Sequence, residues 1–199
     1  RRAFPIFAKA NNIAGVQWTA MDPPLRETML ARGDVDAITG FTFTSLLNLE
    51  ARGVKAEDVT ILQYPDYGVK LYGNAIIASP KLLKENPAAV KAFLSAFTKG
   101  MKDVLAKPEA AIETVKARDG IINSALETRR LQLAINTVIN SADARAEGFG
   151  QVKGPRLSLM ASQVSDAFNT KTRVNPEAVW NGSFLPSVAE LNILSYAKK

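Results

Sequence analysis

The sequence predicts an α/β protein, in which a doubly wound parallel layer is followed by a mostly helical section. Residues 1–79 alternate helical and strand-like patterns with short loops, and after Ser79 the strand-like patterns stop. A chain of 199 residues forms one or two domains and can bury a core without disulfides or metals. We therefore expect an α/β core over residues 1–80 and a helical section over residues 81–199.

The first part of the chain predicts the order of helices and strands in the α/β layer. Asp22, followed by two prolines, is expected to cap the second helix, and Gly33 to end it. The predicted helices are 3–12, Pro23–Arg32 and Thr42–Gly53, and the predicted strands are Val16–Met21, Val35–Phe41, Val59–Tyr64 and Gly73–Ser79. Because a doubly wound sheet normally opens with a strand, we expect the first strand of the layer to lie outside this chain.

The second part is predicted to be helical. Ser79-Pro80 and Asn86-Pro87 combine a capping residue with a proline in the first turn, which is typical of helix starts. The second of these starts opens a long helix with an apolar face. Further helices are predicted over Pro108–Arg118, Ala125–Asn140 and Arg156–Phe168.

The composition excludes several classes of function. The chain has no His and no Cys, so it lacks the imidazole base of a Ser-His-Asp triad and the two most common zinc ligands. No pair of carboxylates stands at a recognisable catalytic spacing, and we predict no catalytic residue, no metal site and no cofactor. The net charge of +6 is scattered rather than clustered, which argues against nucleic acid as a partner.

Two stretches carry candidate binding residues. Tyr64–Asn74 holds three of the four tyrosines, whose rings and hydroxyls suit a planar ligand or, alternatively, cover a sheet edge. The turn Gly40-Phe41-Thr42 follows a predicted strand and precedes a helix that Thr42 can cap. This place suits an anionic or polar group, or it is simply an ordinary helix start. Arg1 could bind an anion or be a ragged chain end, and Trp18 is interpreted as a core residue.

Four segments resemble one family of solute-binding proteins. Arg26–Phe41, with its Gly-Asp-Val-Asp-Ala sequence, is similar to a helix-to-strand segment of binding proteins for nitrate, sulfonates, taurine and thiamine-pyrimidine precursors. Asn74–Ser79, Pro80–Phe97 and Ser183–Pro186 resemble later segments of the same family, in the same order. The resemblance covers nearly the whole chain.

The resemblance implies a type II periplasmic-binding-protein fold, in which two lobes close on a small ligand by a hinge motion. It implies delivery of that ligand to the membrane permease of an ABC importer, and a periplasmic or lipid-anchored location. Residues 1–80 would be the core of the second lobe, and residues 81–199 would complete that lobe and return to the first. The rest of the cleft is then expected in an N-terminal segment outside this chain.

The resemblance also places the ligand-binding residues. The expected residues on the cleft wall and near the crossover between lobes are Arg1, Asp22, Gly40, Phe41, Thr42, Tyr67, Tyr72 and Asn74. Several aromatics and few charges favour a planar heteroaromatic ligand, such as a pyrimidine, over nitrate or a small sulfonate.

Two other functions are open at this point. The ligand-sensing domain of a LysR-type transcription regulator shares the two-lobed architecture and has about this length, but it contains both lobes from its start. A branch resembling this family makes the thiamine pyrimidine with a histidine of its own chain, which this sequence lacks. Binding rather than catalysis is therefore the prediction.

Overall fold

The chain folds into two compact units, each assembled from two stretches of sequence. A computed structural model describes residues 3–196. The first unit comprises Arg1–Gly73 with Lys153–Val179, and the second comprises Asn74–Val152 with Trp180–Lys199. The division into lobes at about residue 80 stays a prediction.

The regular structure of residues 3–196 is helical. The α-helices are α1 (Phe4–Ala10), α2 (Arg26–Arg32), α3 (Thr42–Glu50), α4 (Pro80–Glu85), α5 (Pro87–Ala106), α6 (Pro108–Lys116), α7 (Ser124–Ala134), α8 (Ala142–Glu147), α9 (Gly154–Phe168), α10 (Pro176–Val179) and α11 (Val188–Leu191). A π-helical turn, Ile135–Ile139, continues α7. Short 3-10 helices lie at Pro23–Leu25, Ala56–Asp58, Tyr64–Tyr67, Gly182–Phe184 and Leu194–Tyr196. No helix in this described part combines the length and apolar composition that crossing a membrane requires.

Local signals explain where the helices begin and end. The Ser79 side chain accepts the Leu82 N–H at the start of α4, and the Asn86 side chain accepts the Ala89 N–H at the start of α5. Gly33 ends α2 with φ +76°, a left-handed conformation that glycine adopts without steric cost. The helices predicted from the sequence are thereby confirmed, with ends shifted by a few residues.

The core of the first unit joins α1 to α9 and to the segment around Val69. Ile6, Phe7 and Val69 are buried, and the partly buried side chains packed against them are Phe4, Tyr64, Leu71, Val164 and Ala167. Phe7 stacks on Tyr64 with ring centroids 4.8 Å apart. Burial raises the pKa of the Tyr64 hydroxyl.

The core of the second unit joins α5 to the turn after α7 and to the C-terminal segment. Leu105, Ile135 and Ile193 are buried there, and Met101, Leu131, Ile139, Phe149 and Leu194 pack against them. The Phe149 N–H donates to the Leu191 carbonyl at 2.9 Å. Each fully buried aliphatic side chain of this kind stabilises the fold by about 1.5–3 kcal/mol.

The structure does not confirm the predicted sheet. Within residues 3–196 no segment forms a β-strand, and the four stretches predicted as strands are irregular apart from the start of a 3-10 helix at Tyr64. Trp18, interpreted from the sequence as core, is 45% exposed and lies edge-on to Phe4. Ile77 is 91% exposed. Alternating or continuous apolar residues show only that a segment suits a sheet, whereas a strand also needs a neighbouring strand for its hydrogen bonds.

Candidate functional site

The turn before α3 is shaped by the backbone of Phe41. Phe41 has extended dihedral angles and is the N-cap residue, immediately before α3. Its carbonyl accepts the N–H groups of Thr44 and Ser45, both at 2.9 Å. The sequence predicts Thr42 in the capping role, and this prediction is wrong. The Thr42 side chain instead accepts a hydrogen bond from Gln63 Nε2 at 2.9 Å.

An aromatic pair flanks this turn. The rings of Phe41 and Phe43 are stacked, with centroids 5.3 Å apart and planes inclined by 21°. Phe41 is 52% exposed, so its ring presents apolar surface to solvent. A flat ligand could extend this stack, and the Thr42–Gln63 pair provides polar groups in the same turn.

A buried charged network lies beside Gly40. The Glu27 side chain is 1% exposed, and its Oε1 accepts the Ser45 hydroxyl at 2.7 Å. The same oxygen is 3.4 Å from Arg26 Nη2. A buried carboxylate is costly unless it is paired, so both contacts stabilise Glu27, and the contact with Ser45 also joins α2 to α3.

Arg26 connects this network to the turn itself. Its Nη1 donates to the Thr39 carbonyl at 2.9 Å, and its Nε is buried without a hydrogen-bond partner. A Cβ placed on Gly40 would lie 3.6 Å from Arg26 Nη1 and would collide with Ser45 Oγ. A side chain at position 40 would therefore force the Ser45 hydroxyl to move, although the dihedral angles of Gly40 are not in the left-handed region that favours glycine.

The tyrosines of the predicted binding stretch belong to two other contact groups of the first unit. Tyr67 lies edge-on to Phe7, with ring centroids 5.5 Å apart, and its carbonyl accepts Asn11 Nδ2 at 3.1 Å. Tyr72 Oη accepts the Lys153 N–H at 2.9 Å. The Arg156 guanidinium lies 4.2 Å from the Tyr72 ring centroid and donates to the Leu71 carbonyl, which fixes this ring against α9.

The remaining predicted site residues lie elsewhere. Asp22 is exposed and precedes the 3-10 helix at Pro23–Leu25, but its side chain makes no capping hydrogen bond, which corrects the predicted cap. Asn74 is the first residue of the second unit and is exposed. Arg1 lies outside the described residues.

Sequence reasoning identified the turn but missed the side chains that surround it: Arg26, Glu27, Phe43, Ser45 and Gln63. Glu27 could have been noticed as an acidic residue near the start of the predicted helix. Nothing in the sequence connects Ser45 to Glu27 or Gln63 to Thr42, because these contacts span 18 and 21 residues.

A groove of about 290 Å³ lies on α9 of the first unit, but its chemistry is weaker. Ser158, Ser162 and Ser165 line it together with Arg173. The Arg173 guanidinium is paired with Asp166 at 2.8 Å, so its charge is already offset. The turn at Gly40 is the better candidate because it combines the exposed ring of Phe41 with a guanidinium, that of Arg26, whose N–H groups are not all hydrogen-bonded.

The comparisons with known proteins give one family. Residues 9–111, a little over half of the chain, match the family described as NMT1/THI5 like. The matched range includes α2, the turn at Gly40 and all of α5. No curated protein matches the chain. No solved structure matches it either.

Proposed function

Because the chain belongs to the NMT1/THI5-like family of nitrate-, sulfonate- and thiamine-precursor-binding proteins, we propose that it is the solute-binding component of an ABC importer and captures a small planar heteroaromatic ligand. Membership in this family points to solute binding in transport, and the family comprises binding proteins. The observation that carries the ligand class is the exposed Phe41 ring stacked on Phe43.

The chemistry of the turn supports a ligand with a flat face and a polar edge. Stacking rewards flat rings, because their faces are electron-rich and their edges are positive. The Thr42 hydroxyl proton is able to donate while its oxygen accepts from Gln63. A pyrimidine-like ring with exocyclic polar groups satisfies both requirements, whereas nitrate and small sulfonates would leave the aromatic face unused.

The proposal includes the partners and the place of action that the family suggests. The ligand is handed to the membrane permease of the importer, outside the cytoplasm, by a periplasmic or lipid-anchored protein. Asp22, Tyr67, Tyr72 and Asn74 are retained as proposed ligand contacts besides the turn, together with Arg1. The family match does not favour the LysR-type alternative.

Three separate calorimetric titrations test the ligand class: one with the pyrimidine unit of thiamine, one with taurine and one with nitrate. We expect the pyrimidine to bind the chain with the highest affinity, and Phe41→Ala to weaken that binding about tenfold, since one stacked aromatic partner is lost. Phe93→Ala is the matched control, because Phe93 is also exposed and stacks on Phe97, but in the second unit. Preferred binding of nitrate or taurine, or equal losses in the two variants, would overturn the proposal.

Tyr67→Ala tests the proposed second contact. Its ring packs on Phe7 and is partly exposed, so truncation should weaken pyrimidine binding while leaving the chain folded. Unchanged affinity would remove Tyr67 from the site without affecting the role of Phe41.

A further inference from the structure

The Arg26 guanidinium keeps donors unused beside the turn. A guanidinium has five N–H groups. Arg26 uses one for the Thr39 carbonyl and one for Glu27, and its Nε–H is buried without a partner. One proton on each Nη nitrogen therefore has no acceptor among the described residues. The side chain is 30% exposed, and its Nη1 lies 3.6 Å from the place that a Cβ on Gly40 would occupy, so the guanidinium lies beside the turn.

The charge of this guanidinium is offset on its buried side. Glu27 is almost completely buried and is the ion-pair partner of Arg26, so the pair has a net charge of zero. Ser45 holds the carboxylate in place from α3. An anion binding at Arg26 would lose its hydration and also face the nearby carboxylate, whereas an uncharged acceptor gains the hydrogen bonds without that repulsion.

We infer that Arg26 is a specificity-determining residue of the proposed site, which donates to an uncharged acceptor of the ligand, such as a ring nitrogen or a carbonyl oxygen. Glu27 and Ser45 are positioning residues, and Glu27 additionally excludes anions by cancelling the charge of Arg26. The inference rests on the proposed function, because it assigns the ligand class of the same site.

Removing the charge of Glu27 should change selectivity, which loss of structure alone would not do. Glu27→Gln preserves size and an oxygen acceptor for Ser45 but leaves the charge of Arg26 uncompensated. We expect nitrate and methanesulfonate to bind this variant at least about tenfold more tightly than they bind the unaltered chain. Ser45→Ala is the matched control, since it removes the hydrogen bond to the Glu27 carboxylate without changing any charge, and it should gain no anion binding.

Substitution of Arg26 tests the donor role directly. Arg26→Gln should lose about tenfold in affinity for the pyrimidine unit of thiamine and should gain no affinity for nitrate. Arg26→Lys retains the charge but loses the planar fork of donors, so it should show a similar loss. Melting curves for each variant establish that it is folded. If Glu27→Gln does not fold, the affinity of Arg26→Lys for the pyrimidine unit decides whether Arg26 acts as a donor: an unchanged affinity overturns the inference.

The outcomes separate the inference from the proposed function. If the pyrimidine binds the unaltered chain and depends on Phe41, but is indifferent to Arg26, the inference is wrong and the proposed function stands. If the pyrimidine does not bind but folded Glu27→Gln gains nitrate, the charge compensation stands and the proposed ligand class fails. Folded Glu27→Gln that binds nitrate no better than the Ser45→Ala control overturns the inference in either case.

Discussion

Replacing Gly40 with alanine perturbs the candidate site at its most crowded point. The added Cβ would collide with Ser45 Oγ and lie 3.6 Å from Ser45 Cβ. Because Ser45 belongs to α3, its backbone cannot move without shifting the helix, so its side chain must turn away. The expected result is loss of the 2.7 Å hydrogen bond between Ser45 and the buried Glu27 carboxylate.

The expected loss of stability in Gly40→Ala follows from the hydrogen bond between Ser45 and Glu27. A hydrogen bond to a charged group contributes about 1.5–3 kcal/mol to stability, and Glu27 would retain only the 3.4 Å contact with Arg26. For a chain of this size, 2 kcal/mol corresponds to a fall in melting temperature of roughly 4–8 °C. Ordinary dihedral angles at Gly40 mean that no backbone strain adds to this loss.

Thermal unfolding followed by Trp18 fluorescence measures the effect in the first unit. The chain has two tryptophans, and the other, Trp180, lies in the second unit and is replaced by phenylalanine in all samples. Gly73→Ala is the matched control, because nothing lies within 4 Å of its added Cβ. The control should change the melting temperature by less than about 2 °C.

A double-mutant cycle with Ser45→Ala provides the refutation. Once Ser45 Oγ is absent, the alanine at position 40 has no atom to collide with, so its cost should largely disappear. If Gly40→Ala destabilises the Ser45→Ala background as much as the unaltered chain, or leaves the unaltered chain unaffected, the steric argument fails.

Three further predictions concern other contacts. Tyr72→Phe removes the acceptor of the Lys153 N–H but keeps the ring under Arg156, so urea unfolding should show a loss of about 0.5–1.5 kcal/mol. Asn86→Ala removes the cap of α5 and should cost about 0.5–2 kcal/mol in the same assay, and an unchanged midpoint would contradict the capping role. Hydrogen bonds from the Ser187 side chain and backbone hold the pKa of Glu190 below its usual range; the capping box that they form is therefore complete above the ordinary Glu pKa and is lost as pH falls through the lowered value. An NMR titration should show the Glu190 pKa rising toward its ordinary value in Ser187→Ala, and equal titration curves would refute this assignment.

The helices and the family could be derived from the sequence because their signals are local. A capping side chain, a proline in the first turn and a glycine after the last turn act within about four residues, as at Asn86, Pro87 and Gly33. The motif within Arg26–Phe41 likewise required no tertiary information, and the family match over residues 9–111 confirms the resemblance.

The predicted sheet shows where this reasoning stops. Val35–Phe41 and Gly73–Ser79 have the apolar composition of strands, but within residues 3–196 the structure gives them none of the regular pairing that defines a strand. A strand depends on a partner that is distant in sequence, and the apolar pattern of one segment does not specify that partner.

The same distinction applies to the candidate site. The sequence by itself determined the start of a helix after Gly40-Phe41 and made this turn a candidate binding place. Only the tertiary structure brought Ser45 to Glu27, Gln63 to Thr42 and Arg26 to Gly40. The physical reason is that helix caps and turns are fixed by neighbours along the chain, whereas a buried charge network exists only once separate elements have packed against each other.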